Sequence, residues 1–200
     1  MIKVAITGGI AMGKSSLIKR LRCLLEKVEF FDADECVAEL LTRKAICEKI
    51  VKEFGNSALD TDDNINRSYL RNQVFDSADR RAALESILHP EVHQCYLDLN
   101  REALANSADI FIADIPLLFE SGNKYSSDIV AVVACDEQTQ LKRLEKRPGV
   151  TTDLARRMIN AQLPIEEKMN LADHVIWNAG SPNQLQQQTV YFAKWLKKKI

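Results

Sequence analysis

Gly8-Gly9-Ile10-Ala11-Met12-Gly13-Lys14-Ser15 satisfies G-x-x-x-x-G-K-[ST], the spacing of a phosphate-binding loop. Glycines let backbone N–H groups turn inward and crowd around phosphate oxygens. A helix starting at the loop's end adds unpaired N–H groups and the positive end of its dipole. Lys14 is suited to bridging β- and γ-phosphates, and the Ser15 hydroxyl to ligating magnesium. The motif needs a strand before it and a helix after it. Residues 2–7 are an apolar, β-branched run that reads as a buried strand. Leu17, Ile18, Leu21, Leu24 and Leu25 then recur at helical spacing.

Carboxylates and arginines supply the other candidate chemistry. Asp32 and Asp34 lie just past a second short apolar strand, residues 28–31. Ligands of doubly wound sheets sit at the carboxyl ends of strands. Asp34 is therefore a candidate to accept the proton of an attacking hydroxyl, with Asp32 positioning that hydroxyl or holding water on a metal; the spacing equally suits Asp34 as a helix N-cap. Asp114 closes the strand 109–114 and suits a magnesium-bound water, or a turn. Arg143 and Arg147 are four apart on a predicted helix and share a face, either to grip a nucleotide or as a solvated surface. Arg147, Arg156 and Arg157 flank the Pro148-Gly149 break, which suits a lid over residues 146–161. His89, His93 and Cys95 are close in sequence, but one helical face explains them and no further ligand completes a metal set.

The elements that must position these groups follow from periodicity. Further buried strands are expected at 128–135 and 174–177, and near-continuous apolar strands joined by helices predict a parallel sheet covered on both faces. Residues 44–107 read as almost entirely helical, with a helix stop at His89-Pro90. That excursion exceeds what a crossover needs and reads as an insertion beside the phosphate site. A closing helix is expected over 184–199, with Leu185, Val190, Phe192 and Leu196 in the core. The 200 residues, 46% hydrophobic and 28% charged, suit one α/β core with room for such an insertion. A net charge of −1 gives no basic field for nucleic acid or membrane. Five cysteines without C-x-x-C indicate neither a disulfide framework nor a zinc site and fit a reducing cytoplasm. The short N-terminal apolar run lacks a signal-peptide pattern.

The ordered set of motifs resembles the dephospho-coenzyme A kinases over essentially the full length. It comprises Thr7-Gly8-Gly9-Ile10 with Gly13-Lys14-Ser15, Asp32-Ala33-Asp34, Arg67-x-x-Leu70-x-x-x-Val74-Phe75 and Leu88-His89-Pro90. It continues through Pro116-Leu117-Leu118-Phe119-Glu120, Gln140-x-x-Arg143-x-x-x-Arg147, Ala161-Gln162, and Ala172-Asp173-x-Val175-Ile176-x-Asn178-x-Gly180. The resemblance implies a P-loop NTPase fold: a parallel five-stranded sheet with helices on both faces, a helical substrate-binding insertion and a small lid. The implied core is 1–31, 108–145 and 162–200, with the coenzyme A subdomain at 32–107.

The implied reaction is phosphorylation of the ribose 3′-hydroxyl of dephospho-coenzyme A by ATP with Mg2+. Asp34, Lys14 and Arg147 would then be catalytic. Gly8, Gly9, Ile10, Ala11, Met12, Gly13, Lys14, Ser15, Ser16, Arg143, Asn178 and Gly180 would bind ATP, the last two beside adenine. Asp32, Asp34, His89 and Leu117 would face the acceptor, and Ser15 and Asp114 would serve the metal. Ala11 and Met12 replace the small residues usual in the family's loop, Ser16 a common threonine, and Pro148 after Arg147 is unusual. The loop changes are expected to bear on affinity more than on activity. The implied protein is cytoplasmic, monomeric or weakly oligomeric, and acts on a small molecule. Another small-molecule kinase, such as a nucleoside monophosphate kinase, is the nearest alternative. A GTP-dependent switch needs an Asn-Lys-x-Asp run that the chain lacks, and a nucleic-acid motor needs more basic surface.

Overall fold

β-Branched, apolar runs become the strands of a parallel sheet in the computed structural model, which describes residues 1–120 and 125–200. The strands are β1 (Ile2–Gly8), β2 (Val28–Asp32), β3 (Ile110–Asp114), β4 (Ile129–Ala134) and β5 (His174–Trp177), in spatial order β2-β3-β1-β4-β5. The helices are α1 (Lys14–Leu24), α2 (Ala33–Leu40), α3 (Lys44–Phe54), α4 (Arg67–Asp76), α5 (Ala78–Ala105), α6 (Glu137–Glu145), α7 (Thr152–Asn160), α8 (Ile165–Asn170) and α9 (Pro182–Lys197).

Alternation along each strand sorts side chains to two faces. Val4 and Ile6 of β1, Ile112 of β3 and Val133 of β4 point to one face, where Leu17 and Leu21 of α1 and Phe192 and Leu196 of α9 cover them. Each such aliphatic side chain taken fully from water contributes about 2 kcal/mol. On the other face Val132 and Ala134 pack with Met12, Cys135 and Phe119 and with Ile165 and Met169 of α8. β5 is an edge strand, and its exposed ladder is met by a side chain. Trp177 N–H donates to Gln188 Oε1 at 2.9 Å, and Gln188 Nε2 donates to the Trp177 carbonyl at 2.6 Å.

The chain divides into two compact units, Met1–Asp32 with Asn100–Ile200, and Ala33–Leu99. The second unit is helical. Ile46, Ile50 and Phe54 form the buried stripe of α3, which ends at Gly55 with φ 81°. Arg67 donates to the Ala38 carbonyl, Tyr69 OH to the Phe54 carbonyl, and Lys49 pairs with Glu91 at 2.8 Å. The expected stop at His89-Pro90 is not made, since α5 runs through Pro90 without interruption. Proline removes an N–H and strains the preceding turn at a cost of about 3 kcal/mol. Leu88, Val92 and Tyr96, buried one turn apart, hold the helix through it.

The closing helix begins earlier than periodicity predicts. Ser181 and Gln184 make a reciprocal capping box with Pro182 in the first turn. Of its expected core residues Leu185, Phe192 and Leu196 are buried, whereas Val190 is half-buried and Thr189 is buried beside it. Among the described residues no helix is long and apolar enough to cross a membrane.

Candidate active site

The loop between β1 and α1 lies at the carboxyl edge of the sheet, against the end of β4. Gly8 pairs with Val133 in register, and a Cβ at Gly8, where φ is 151°, would strike the Val133 carbonyl oxygen. Gly13 precedes α1 with φ 100°, and a Cβ there would strike Asn178 Nδ2. Both glycines are thus demanded twice, by backbone conformation and by a neighbour. Met12 turns its side chain into the core beneath, against Val132, Ala134 and Cys135. Ala11 takes the left-handed conformation at φ 58°.

Side chains outside the loop set its curvature. The Met12 carbonyl accepts from Asn178 Nδ2 at 2.8 Å and from Arg143 Nη1 at 3.4 Å, and Arg143 Nη2 donates to the Asn178 carbonyl at 2.8 Å. The Ile10 carbonyl accepts from Gln140 Nε2 at 2.9 Å. In a trans peptide C=O and the following N–H point opposite ways. Holding the Met12 and Ile10 carbonyls outward therefore aims the Gly13 and Ala11 N–H groups inward. Lys14 and Ser15 open α1, where N–H groups have no intrahelical acceptor. These donors and the half-buried Lys14 make an anion cradle. Ser15 and Ser16 are exposed at the helix start.

The carboxylates are brought together on strand ends. Asp32 and Asp114 are register partners across β2 and β3, and Asp114 is also paired with Ile6 of β1. Paired residues of neighbouring parallel strands project to the same face about 4.8 Å apart. Asp114 is buried and Asp32 half-buried. Asp34 stands exposed in the first turn of α2, where the dipole favours a carboxylate. It belongs to the helical unit, as does His89, half-buried in the middle of α5. In the segment after β3, Leu117 faces outward while Phe119 packs beneath the loop with Met12. The apolar run Leu117-Leu118-Phe119 is thus split between surface and core. The Pro116 carbonyl accepts from Thr7 Oγ1 at 3.1 Å. Glu120 Oε1 meets Lys168 Nζ at 2.6 Å, and Lys168 is fully buried.

Arg143 and Arg147 do not share a helix face. α6 ends at Glu145, and Arg147 lies beyond it in the turn before Pro148, with its N–H on the Leu144 carbonyl at 2.8 Å. Proline disfavours helical backbone in the residue before it, which separates the pair. Arg147 is exposed, and α7 follows, capped by Thr151. Gly180 is exposed beyond β5, its Cα close to the Gln184 side chain. Near Arg143, burial pushes the Cys135 thiol above its ordinary pKa against the pull of the guanidinium. Next to Cys135, at the N-cap of α6, bonds from the Thr139 N–H and hydroxyl hold Asp136 below the usual carboxylate range. A cavity of about 640 Å³ opens beside the loop, lined among others by Gly9, Met12, Gln140, Gln162 and Ile165.

Sequence reasoning gave Gln140, Gln162, Glu120 and Lys168 no role. Gln140 shares the buried stripe of α6 with Leu144, so a polar residue in a core position was its signal. Gln162 lies in the short turn between α7 and α8, and its signal was its place in the Ala161-Gln162 motif.

Comparison with known proteins gives consistent findings. The family model described as CoaE: Dephospho-CoA kinase matches residues 2–184. A dephospho-CoA kinase of Fusobacterium nucleatum is 35% identical over 191 residues, 96% of either chain. A solved structure from Thermus thermophilus superposes with TM-score 0.78 at 30% identity, covering 96% of this chain and 97% of that one. The dephospho-CoA kinase of Campylobacter jejuni superposes with TM-score 0.71 at 28% identity, over 98% of both.

Proposed function

Because this chain belongs to the dephospho-CoA kinase family, we propose that it transfers the γ-phosphoryl group of ATP to the ribose 3′-hydroxyl of dephospho-coenzyme A, giving coenzyme A and ADP. The observation that carries the reading is the loop itself. Outward-held carbonyls at Ile10 and Met12 aim amides at an anion, beside strand ends that carry Asp32 and Asp114.

In this reading the inward amides and Lys14 bind the β- and γ-phosphates and stabilise the charge that spreads over the transferring group. Arg143 and Asn178 keep the loop in shape, and Gly180 lies beside the base. Residues 146–161 are the lid, with Arg147 on the phosphates. The helical unit takes the acceptor, with His89 of α5 as one of its contacts, and Leu117 of the core unit is a further candidate contact. Asp34 accepts the proton of the 3′-hydroxyl, and Asp32 orients that hydroxyl.

Ser15 Oγ is a hard oxygen donor that would hold magnesium, and Asp114 would hold a water bound to it. When bound, magnesium neutralises charge on the β- and γ-phosphates. A small-molecule substrate and a cytoplasmic setting belong to the same reading.

The test is ADP release with dephospho-coenzyme A, AMP, adenosine and simple alcohols as acceptors. Dephospho-coenzyme A is expected to win by a large factor, since the helical unit is larger than a bare nucleoside needs. Equal turnover of AMP would hand the assignment to a monophosphate kinase.

A further inference from the structure

Ile10 is held on both of its peptide groups by glutamines that lie far apart in sequence. Its carbonyl takes Gln140 Nε2 of α6, and its N–H donates to Gln162 Oε1 at 2.8 Å. Gln162 lies one residue beyond the cap of α7, Ala161. The next residue is anchored elsewhere, since Leu163 N–H donates to Glu120 Oε1 at 3.1 Å, the oxygen that also meets the buried Lys168.

The end of α7 is therefore tied on one side to the phosphate-binding loop and on the other to the segment after β3. Gln140 is 3% exposed, and burying an amide that deeply is unfavourable unless its polar atoms are bonded. A leucine would fill the space at no such cost, so packing alone does not account for the residue. The bond from the Ile10 N–H to Gln162 Oε1 commits an N–H that a phosphate would otherwise take. The Ile10 peptides are thus a handle on the loop, gripped from outside, while the Ala11 and Gly13 amides are the ones aimed inward.

We propose that Gln162 is a positioning residue that couples the α7 segment to the phosphate-binding loop, with Gln140 as the fixed side of the same grip. Gln140 sits on a helix of the core and sets the resting orientation of Ile10. Gln162 makes that orientation depend on where the end of α7 stands. Movement of α7 is transmitted to the loop, and filling of the loop is felt at α7. Neither glutamine touches the reacting atoms; both act through Ile10. The inference rests on the reading of the loop as the ATP site.

The test uses the full chain with Gln162→Met, which keeps length and loses the acceptor, and Gln162→Asn, which keeps the amide but is too short to reach. Thermal unfolding checks that both fold. Amide hydrogen exchange is followed at Ile10 and over residues 152–160, with and without ATP. In the parent, ATP is expected to raise protection over 152–160. In both variants Ile10 should exchange faster and the ATP-dependent gain over 152–160 should be largely lost.

With dephospho-coenzyme A, kcat should fall about tenfold, what one lost hydrogen bond is worth, while the Kd for ATP moves less than about threefold. In a cycle with Gln140→Met, the double variant should fall little further than the worse single one, because both act through Ile10. An undiminished ATP response over 152–160 in the variants would overturn the coupling, as would losses that add in the cycle or simply follow stability. Failure of the substrate assignment shows separately, as a parent that releases no ADP with dephospho-coenzyme A; the exchange comparison with ATP then still decides the coupling.

Discussion

Arg143 and Asn178 meet at the Met12 carbonyl. One guanidinium nitrogen donates to that oxygen and the other to the Asn178 carbonyl, while Asn178 Nδ2 donates to Met12 at 2.8 Å. The end of β5 thus fixes the shape of a loop that leaves β1. Asn178 is buried, so its amide is chosen for this bond and not for solvent.

Asn178→Ala removes the shorter bond to Met12 and leaves that carbonyl the longer contact with Arg143. The expected result is a loss of about 1–3 kcal/mol of stability, seen as a Tm lowered by several degrees. The ATP Kd is expected to rise about tenfold, because the Gly13 amide is no longer aimed. An ATP affinity equal to the parent's, by calorimetry, would show that the loop holds its shape without this brace.

What the sequence makes legible is set by how local each signal is. The glycine loop, the strands and α1 are written in contiguous residues, and the sheet follows from apolar runs bounded by turns. The register that sets Asp32 beside Asp114 needs the whole sheet. Ile10, Gln140 and Gln162 are joined only by the fold, over separations of 130 and 152 residues. Arg143 and Arg147 misled because helical spacing was extended into a turn that Pro148 had already ended. Pro90 misled in the opposite sense, since burial of Leu88 and Val92 outweighs one lost hydrogen bond.

Ala11 carries a side chain at φ 58°, where L-residues other than glycine are disfavoured by about 1–2 kcal/mol. Ala11→Gly should relieve that strain but also loosen the unfolded chain, which offsets part of the gain. The net expectation is a stabilisation of up to about 1 kcal/mol, with kcat little changed. Denaturant unfolding of the two proteins measures it, and a destabilised glycine variant would contradict the strain argument.

His174 stacks on Phe192 at 4.7 Å and on Trp195 at 5.3 Å, and its burial lowers its pKa from 6.5. The folded chain therefore holds this imidazole neutral at a pH where the unfolded chain would protonate it. In that window the unfolded state binds more protons, so stability rises with pH. The full contribution is present above about 6.5 and is lost as pH falls through the window to the folded pKa. Unfolding between about pH 5 and pH 8 should show this slope. In His174→Phe, which keeps the aromatic stack, the slope should flatten; an unchanged slope would assign it to other groups.

Lys168 is fully buried with its ammonium on Glu120, which also takes the Leu163 N–H. Lys168→Met leaves a partly buried carboxylate without its cation. Breaking a buried pair from one side costs about 3–5 kcal/mol, less here because the Glu120 side chain keeps 19% of its exposure. The single variant should therefore unfold at clearly lower denaturant. Lys168→Met combined with Glu120→Leu should recover part of the loss, since no lone charge is left. A double variant as unstable as the sum of two singles would remove the pair from the account.

Asp34 carries the sharpest claim about chemistry. Phosphoryl transfer passes through a loose transition state, so the acceptor oxygen must be aimed in line and its proton must have somewhere to go. Asp34 is exposed in the first turn of α2, two residues after Asp32 ends β2, so a substrate hydroxyl arriving from solvent can reach its carboxylate. Asparagine keeps the size and one acceptor but takes no proton. Asp34→Asn is expected to lower kcat by about 10²–10⁴-fold, the range for general base catalysis, with ATP binding little changed. Asp32→Asn should do less, because orienting the hydroxyl needs an acceptor that asparagine still offers. Steady-state kinetics with dephospho-coenzyme A, and ATP binding by calorimetry on both variants, decide between the roles. An inactive Asp32→Asn beside an active Asp34→Asn reverses them. Full activity in both would reduce Asp34 to a charge that suits its helix dipole and put the base on another residue.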